Sequence, residues 1–146
     1  MFNLFKRDVY LDNNGTTHLS SPVRKTMNRV MKYHWGNPSS GYQKGKTAFQ
    51  IIENAREQVA KSINAHSHEI YFTGSATESN NAVLKNLSNH FYPKKKKIIS
   101  TPIEHPSVMN TLEFLETQGI VVQYCSVDHF GFISAKELEK LIDEDT

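Results

Sequence analysis

A chain of 146 residues is long enough for one domain with a hydrophobic core. Its composition is that of an ordinary globular protein, with 38% apolar residues, 22% charged residues and a net charge of +2. This balance gives no support for nucleic-acid binding, and the one dense basic run, Lys94–Lys97, is interpreted as a solvated connection. A single cysteine, Cys125, excludes an internal disulfide framework and is expected to be a buried thiol in a strand.

No targeting signal or metal site is predicted. The segment Met1–Arg7 is too short and too polar for a signal peptide, and no long apolar span follows it. A cytoplasmic location without membrane contact is therefore expected. The seven histidines show no metal-ligand spacing.

Two helices are predicted in the first half of the chain. Ser21-Pro22 opens the first helix, because proline is favoured in a first helical turn. This helix ends before Trp35–Gly41, a loop that contains glycine, proline and serine. A second helix is expected from about Gly45 to Ile63, since apolar residues recur along one of its sides.

A strand, a tight turn and a helix are predicted next. Ile70–Phe72 is a short apolar run typical of a buried strand. Ser75 and Glu78 have the spacing of a capping box, which indicates the start of a helix that continues to about His90. Free N–H groups at such a helix N-terminus attract an anion such as phosphate. Capping alone also accounts for both residues, and the turn has neither the P-loop pattern nor the dinucleotide-binding pattern.

The remaining chain alternates between strands and helices. The predicted elements are a strand at Lys97–Ser100, a helix from Pro106 to a stop at Gly119, a strand at 120–127 and a helix capped by Ser134. This order predicts an α/β fold with a parallel sheet and right-handed crossovers. Because parallel strands bring their following loops to one edge, His105 is expected near the anion-binding turn. Three roles are open for His105, namely a stacking face, a general acid and a loop anchor.

Five short runs occur in the same order as in cysteine desulfurases of the NifS and IscS kind, within the class V aminotransferases. These runs are Tyr10–Thr17, Gly36–Ser40, Glu53–Ala60, Phe72–Asn81 and Glu104–Pro106. Each run alone is a weak signal, whereas all of them in register make a specific match. The likeness continues more loosely to the end of the chain. The sequence therefore resembles the N-terminal part of these enzymes.

The resemblance implies a particular fold and domain organisation. The expected fold is the N-terminal portion of a type I aminotransferase-like fold, dependent on pyridoxal 5'-phosphate (PLP), with a parallel-rich sheet and flanking helices. Within this single incomplete unit, residues 1–20 are an N-terminal arm. Residues 21–146 are the first part of the PLP-binding large domain.

The resemblance also implies an activity and a cofactor site. Enzymes of this family use PLP to remove sulfur from L-cysteine, which gives alanine and an enzyme-bound persulfide for iron–sulfur cluster assembly. By resemblance, Ala76 and Thr77 bind the cofactor phosphate and His105 stacks on the pyridine ring. A family-type homodimer is implied as well.

The catalytic groups are where the sequence departs from the family. The family's Schiff-base lysine directly follows a Ser-x-His stretch, and no Ser-x-His-Lys stretch occurs here; Cys125 matches no catalytic position. No catalytic residue is therefore assigned, and covalent PLP attachment is not expected. The isolated chain is expected to be an inactive N-terminal part that a C-terminal polypeptide completes. A non-catalytic scaffold module and a phosphate-ligand-binding α/β domain are the alternatives.

Overall fold

The computed structural model describes residues 9–146, which form two compact units. The first unit extends to Tyr71, and the second runs from Phe72 to Thr146. Residues 1–8, which include Met1–Arg7 and part of the predicted N-terminal arm, lie outside the described residues. The assignment of residues 21–146 to one large domain stays a prediction. Among the described residues, no helix is both long enough and apolar enough to cross a membrane.

The first unit is helical. Helix α1 spans Ser21–Tyr33 and begins at Ser21-Pro22 as predicted, and helix α2 spans Gln43–Ser62. A short 3-10 helix, Ser67–Glu69, contacts α2. The guanidinium of Arg56 on α2 donates a hydrogen bond to the carbonyl oxygen of Ile70. This bond ties the segment after the 3-10 helix to α2.

The loop between α1 and α2 packs tightly against the first turns of α2. Within the loop, the Ser40 N–H donates to the carbonyl oxygen of Asn37 at 3.0 Å. Gly45 on α2 is buried, and a Cβ at this position would lie 2.2 Å from the Ser40 carbonyl oxygen and 2.7 Å from that of Asn37. The close approach of the two backbones therefore requires glycine at position 45. In contrast, a Cβ at Gly41 would have no atom within 4 Å.

The second unit has the alternating order that the sequence predicts. Its elements are α3 at Ala76–Phe91, β1 at Lys97–Ser100, α4 at Pro106–Thr117, β2 at Val121–Tyr124 and α5 at Ala135–Leu141. The two strands are parallel, with Lys97 paired to Val121 and Ser100 paired to Tyr124. Helix α4 makes the crossover connection that parallel strands need. The predicted α/β architecture with a parallel sheet is confirmed.

The core of the second unit lies around α4 and β2. Leu112 and Leu115 on α4 are buried, and Ile120 and Cys125 are buried at the two ends of β2. The Cys125 N–H donates to the carbonyl oxygen of Ser100 at 2.8 Å, which extends the pairing of the two strands. Helix α3 packs on α4. The core therefore fixes where α4 begins relative to α3.

The strand predicted at Ile70–Phe72 is wrong. In residues 9–146, the sheet contains β1 and β2 alone, and segment 70–72 belongs to no strand. Tyr71 is 83% exposed rather than buried. A strand is stable only with a neighbouring ladder and a buried face, and the Ile70 carbonyl oxygen accepts from Arg56 instead. The strand predicted at 120–127 is also shorter, at Val121–Tyr124.

The interpretation of the basic run as a solvated connection is wrong for Lys97, the last of its four lysines, whereas Lys95 is exposed. The Lys97 side chain is 12% exposed, and its Nζ lies 2.7 Å from Asp143 Oδ2 and donates to the carbonyl oxygen of Leu141. The Lys95 ammonium donates to the carbonyl oxygen of Glu144. The last carbonyl groups of a helix have no partner within the helix, so the Lys97 ammonium stabilises the end of α5.

Candidate functional site

Two helix N-termini of the second unit meet at one cleft. The cleft has a volume of about 340 Å³. Its lining residues come from α3 and from the start of α4, namely Thr77, Asn81, Lys85, His105, Pro106, Ser107, Asn110 and Thr111. Two of the three residues predicted to bind a cofactor, Thr77 and His105, therefore lie on the same cleft. The third, Ala76, is the first residue of α3 and directly precedes Thr77.

The start of α3 is held by two side chains. Ser75 Oγ accepts a hydrogen bond from the Glu78 N–H at 3.2 Å, so the predicted serine cap is confirmed. The Glu78 carboxylate accepts from the Gly74 N–H at 2.7 Å, rather than from the Ser75 N–H of a standard capping box. The turn preceding α3 is thus fixed on both sides of Ser75.

Ala76 and Thr77 supply the donors that a ligand can use at this end of α3. As the first two residues of a helix, they have no carbonyl acceptor one turn earlier. In the described part of the chain, neither N–H donates to a protein acceptor. Two unpaired N–H groups, the positive end of the helix dipole and the exposed Thr77 hydroxyl are suited to a phosphate group. The nearby Glu78 carboxylate is already engaged by Gly74.

His105 caps α4 and is held by a short network. Its Nδ1 accepts from the Ser107 N–H at 3.1 Å and lies 2.9 Å from Ser107 Oγ. Asn80 Nδ2 on α3 lies 2.9 Å from the same Ser107 Oγ, and Ser107 is buried. Of the three roles left open for His105, the structure supports the loop anchor directly. The ring still lines the cleft, so it can also contact a ligand there.

Lys85 is a further residue of the cleft, and its role was not predicted from the sequence. It lines the cleft together with Thr77 and Asn81, and its Nζ lies 4.7 Å from the centre of the Phe114 ring. These three α3 residues are spaced by four, which places them along one face of a helix. This spacing is the feature of the sequence from which Lys85 could have been predicted. Lys85 gives the cleft a positive charge, which favours an anionic ligand.

The chain matches the family model described as "Aminotransferase class-V" over residues 9–146. A relative named "Cysteine desulfurase IscS", from Dictyoglomus turgidum, is 41% identical over 141 residues, which are 97% of this chain and 36% of the relative. A solved structure titled "NIFS-LIKE PROTEIN" superposes with a TM-score of 0.90 at 43% identity, covering 94% of this chain and 38% of that protein. Another, titled "SspA in complex with cysteine", gives a TM-score of 0.86 at 34% identity, with coverages of 93% and 39%.

These matches agree with the order of elements and with the sequence runs that suggested the family. The chain spans about 36% of the length of the relative that it matches from Dictyoglomus turgidum. Both the fold and the sequence identity extend over nearly all of the present chain. The chain therefore belongs to the class V aminotransferase family, among relatives that are cysteine desulfurases of the IscS and NifS kind.

Proposed function

We propose that this chain forms the phosphate-binding and ring-stacking parts of the PLP site of a cytoplasmic cysteine desulfurase. The proposed reaction removes sulfur from L-cysteine, giving alanine and a persulfide for iron–sulfur cluster assembly. The observation that carries the proposal is the cleft where Thr77 and His105 lie together at two helix N-termini. Membership of the family and the relative solved in complex with cysteine support the choice of cofactor and substrate.

The residues of the cleft fit a phosphorylated, planar ligand. The N–H groups of Ala76 and Thr77 and the Thr77 hydroxyl would hold the phosphate, because each is a donor at a helix N-terminus. The His105 ring would contact one face of the pyridine ring, and Lys85 would offset part of the negative charge. When bound, PLP supplies an electron sink for cleavage at the substrate, while the chain binds and orients it.

We infer that a polypeptide outside these 146 residues supplies the lysine that attaches PLP and the cysteine that accepts sulfur. The inference is supported by the sequence, in which no lysine follows a Ser-x-His stretch and Cys125 is buried. Lys85 does not fit the role of the lysine that attaches PLP. It lies eight residues after Thr77, which is about 12 Å along α3 from the proposed phosphate-binding residue. A C-terminal polypeptide or a family-type homodimer partner would complete the site.

An apolar groove in the second unit supports this view of an additional polypeptide. The groove has a volume of about 510 Å³. Its apolar lining comes from α3, from β1 and from the region of α5, and it includes Leu84, Leu87, Phe91, Ile98, Ile99, Leu138 and Ile142. Exposed apolar surface of this kind favours association with another chain segment.

The cofactor site is tested by two titrations of the full chain, one with PLP and one with inorganic phosphate, each monitored by NMR chemical shifts. Thr77→Ala removes a hydroxyl from the start of α3 and should weaken PLP binding by about tenfold, which corresponds to about 1.4 kcal/mol for one hydrogen bond to a charged group. Thr117→Ala is the matched control, because Thr117 is an exposed threonine at the opposite end of α4. The control should bind PLP as the wild type does.

The outcomes separate the proposal from its alternatives. Shifts at Ala76, Thr77 and the His105 ring that Thr77→Ala reduces would support the PLP site. Equal binding of phosphate and PLP, with no change at His105, would instead indicate a general phosphate-binding domain. Reduction with borohydride and peptide mapping tests the attachment point. Stoichiometric labelling of one lysine in the isolated chain would contradict the inference that this lysine comes from elsewhere.

A further inference from the structure

The network behind His105 determines which ring nitrogen carries the proton. The Ser107 backbone N–H can only donate, and it points to His105 Nδ1 at 3.1 Å. A neutral imidazole has one acceptor nitrogen and one N–H nitrogen, so Nδ1 is the acceptor. The proton of the neutral ring is therefore on Nε2. The backbone N–H, whose polarity is fixed, favours this tautomer, and the side chains behind it can strengthen or weaken the preference.

The Ser107 hydroxyl must then donate to the same nitrogen. Its Oγ lies 2.9 Å from His105 Nδ1, where two facing lone pairs would repel each other. With its proton directed to Nδ1, the hydroxyl oxygen is left as an acceptor for the Asn80 side chain. Asn80 Nδ2 lies 2.9 Å from this oxygen and donates to it. One arrangement of protons therefore accounts for all three contacts as hydrogen bonds. In this arrangement Asn80 donates to Ser107, and Ser107 donates to His105.

We propose that Asn80 and Ser107 are positioning residues that hold His105 as its neutral Nε2–H tautomer on the cleft. This inference deepens the proposed function and rests on it for its significance, because it specifies how the ring meets a ligand. Nδ1 is turned to the protein, so Nε2–H is the polar group that the ring presents. A ligand atom that meets this edge of His105 is a hydrogen-bond acceptor, such as a carboxylate or phosphate oxygen.

The burial of the network explains how it can impose this geometry. Ser107 is 8% exposed, and Asn80 is half-buried on the α3 face that packs on α4. Because water has little access to Ser107, its hydroxyl has few partners other than His105 and Asn80. Asn80 is on a different helix from His105, so the network also couples the position of the ring to the packing of α3 on α4.

The test is a long-range ¹H–¹⁵N NMR spectrum of the histidine rings in the full chain, without PLP. At about pH 8, above the ordinary histidine pKa of about 6.5, the neutral tautomers are resolved by their nitrogen shifts. His105→Asn assigns the signal by its loss, and an asparagine can still cap α4. The wild type should show a protonated Nε2 and an unprotonated Nδ1 at His105.

Asn80→Asp reverses the polarity of the network with almost no change of shape. An ionised carboxylate can only accept, so it would draw the Ser107 hydroxyl proton away from His105. The fraction of His105 protonated at Nδ1 should then rise. Asn81→Asp is the matched control, because it adds the same charge one residue away, where the side chain bonds to the Thr77 carbonyl rather than to Ser107. It should retain the wild-type tautomer.

A second pair of variants covers the case in which Asn80→Asp does not fold. Ser107→Ala removes the hydroxyl donor but keeps the backbone N–H, so the fraction of His105 protonated at Nδ1 should rise while Nε2–H stays the major tautomer, and Ser107→Thr should keep the wild-type spectrum. Ser88→Ala is its control, since Ser88 is equally buried at 8% and bonds to the Leu84 carbonyl instead.

A wild-type ring protonated at Nδ1 would overturn the inference. So would a wild-type spectrum in both Asn80→Asp and Ser107→Ala. These outcomes are independent of cofactor binding. If the tautomer responds as expected but PLP does not shift the His105 signals, the network is supported and the proposed function fails.

Discussion

Gly45→Ala is expected to destabilise the first unit, although alanine is normally the better helix former. Within a helix, alanine is favoured over glycine by about 1 kcal/mol. Here the new Cβ would lie 2.2 Å from the Ser40 carbonyl oxygen, about 1 Å inside the usual carbon–oxygen contact of about 3.3 Å. Overpacking of this kind costs about 1–3 kcal/mol. The upper value applies because the nearest atoms are backbone oxygens of Ser40 and Asn37, which leaves a net loss of about 2 kcal/mol.

The measurement is urea unfolding followed by the fluorescence of Trp35, the single tryptophan of the chain. Its ring lies 4.1 Å from Lys44 Nζ, next to the affected turn, so it reports on this region. With a slope of about 2 kcal/mol per M, the midpoint should fall by about 1 M. Gly41→Ala, where a Cβ would meet nothing within 4 Å, should stay close to the wild type. An unchanged midpoint for Gly45→Ala, or an equal fall in both variants, would refute the reasoning.

Three further predictions concern the second unit. The hydrogen bond from Lys97 holds the pKa of Asp143 below its ordinary 3.8, so this pairing stabilises the C-terminal segment above about pH 4 and is lost as the pH falls through the lowered pKa. The protection of the backbone amides of residues 142–146, measured as their exchange rate relative to the intrinsic rate at each pH, should fall only in that acidic range, and the same profile in Lys97→Met would contradict the assignment. Leu112→Ala should lower the free energy of unfolding by about 3 kcal/mol, because the side chain is fully buried. Val121→Ala, at a 54% exposed position, should lower it far less. Equal losses of unfolding free energy in the two variants would exclude Leu112 from the core. Cys125 is 1% exposed and should react with a maleimide only after unfolding, so rapid labelling of the native protein would show that the thiol is accessible.

Local signals predicted the helices well and the strands unevenly. The start of α1 at Ser21-Pro22 and the start of α4 at Pro106 were predicted correctly, because proline and the residues beside it fix a helix N-terminus within one turn. Lys97–Ser100 was correct as well. Ile70–Phe72 has an equally strand-like composition but forms no strand, since pairing depends on a neighbour that the local sequence does not specify.

The candidate site could be predicted in outline from the order of the elements. That order placed His105 near Thr77, and the structure puts both residues on one cleft. The roles of Asn80 and Ser107 could not be predicted, because their contact crosses from α3 to α4 and depends on the rotation of each helix. Whether Ala76, Thr77 and His105 bind PLP stays a prediction.

The lysine contacts at the end of α5 have a consequence for the order of folding. They join residues 44 and 46 positions apart, from Lys97 to Leu141 and to Asp143. Closing a loop of that length in an unfolded chain costs about 3 kcal/mol or more in entropy. A few polar contacts do not offset this loss early in folding. The pairing of β1 with β2 closes a loop of about half that length and buries apolar residues of α4. We therefore expect the β1–α4–β2 segment to form first, with the C-terminal residues attaching last and detaching first.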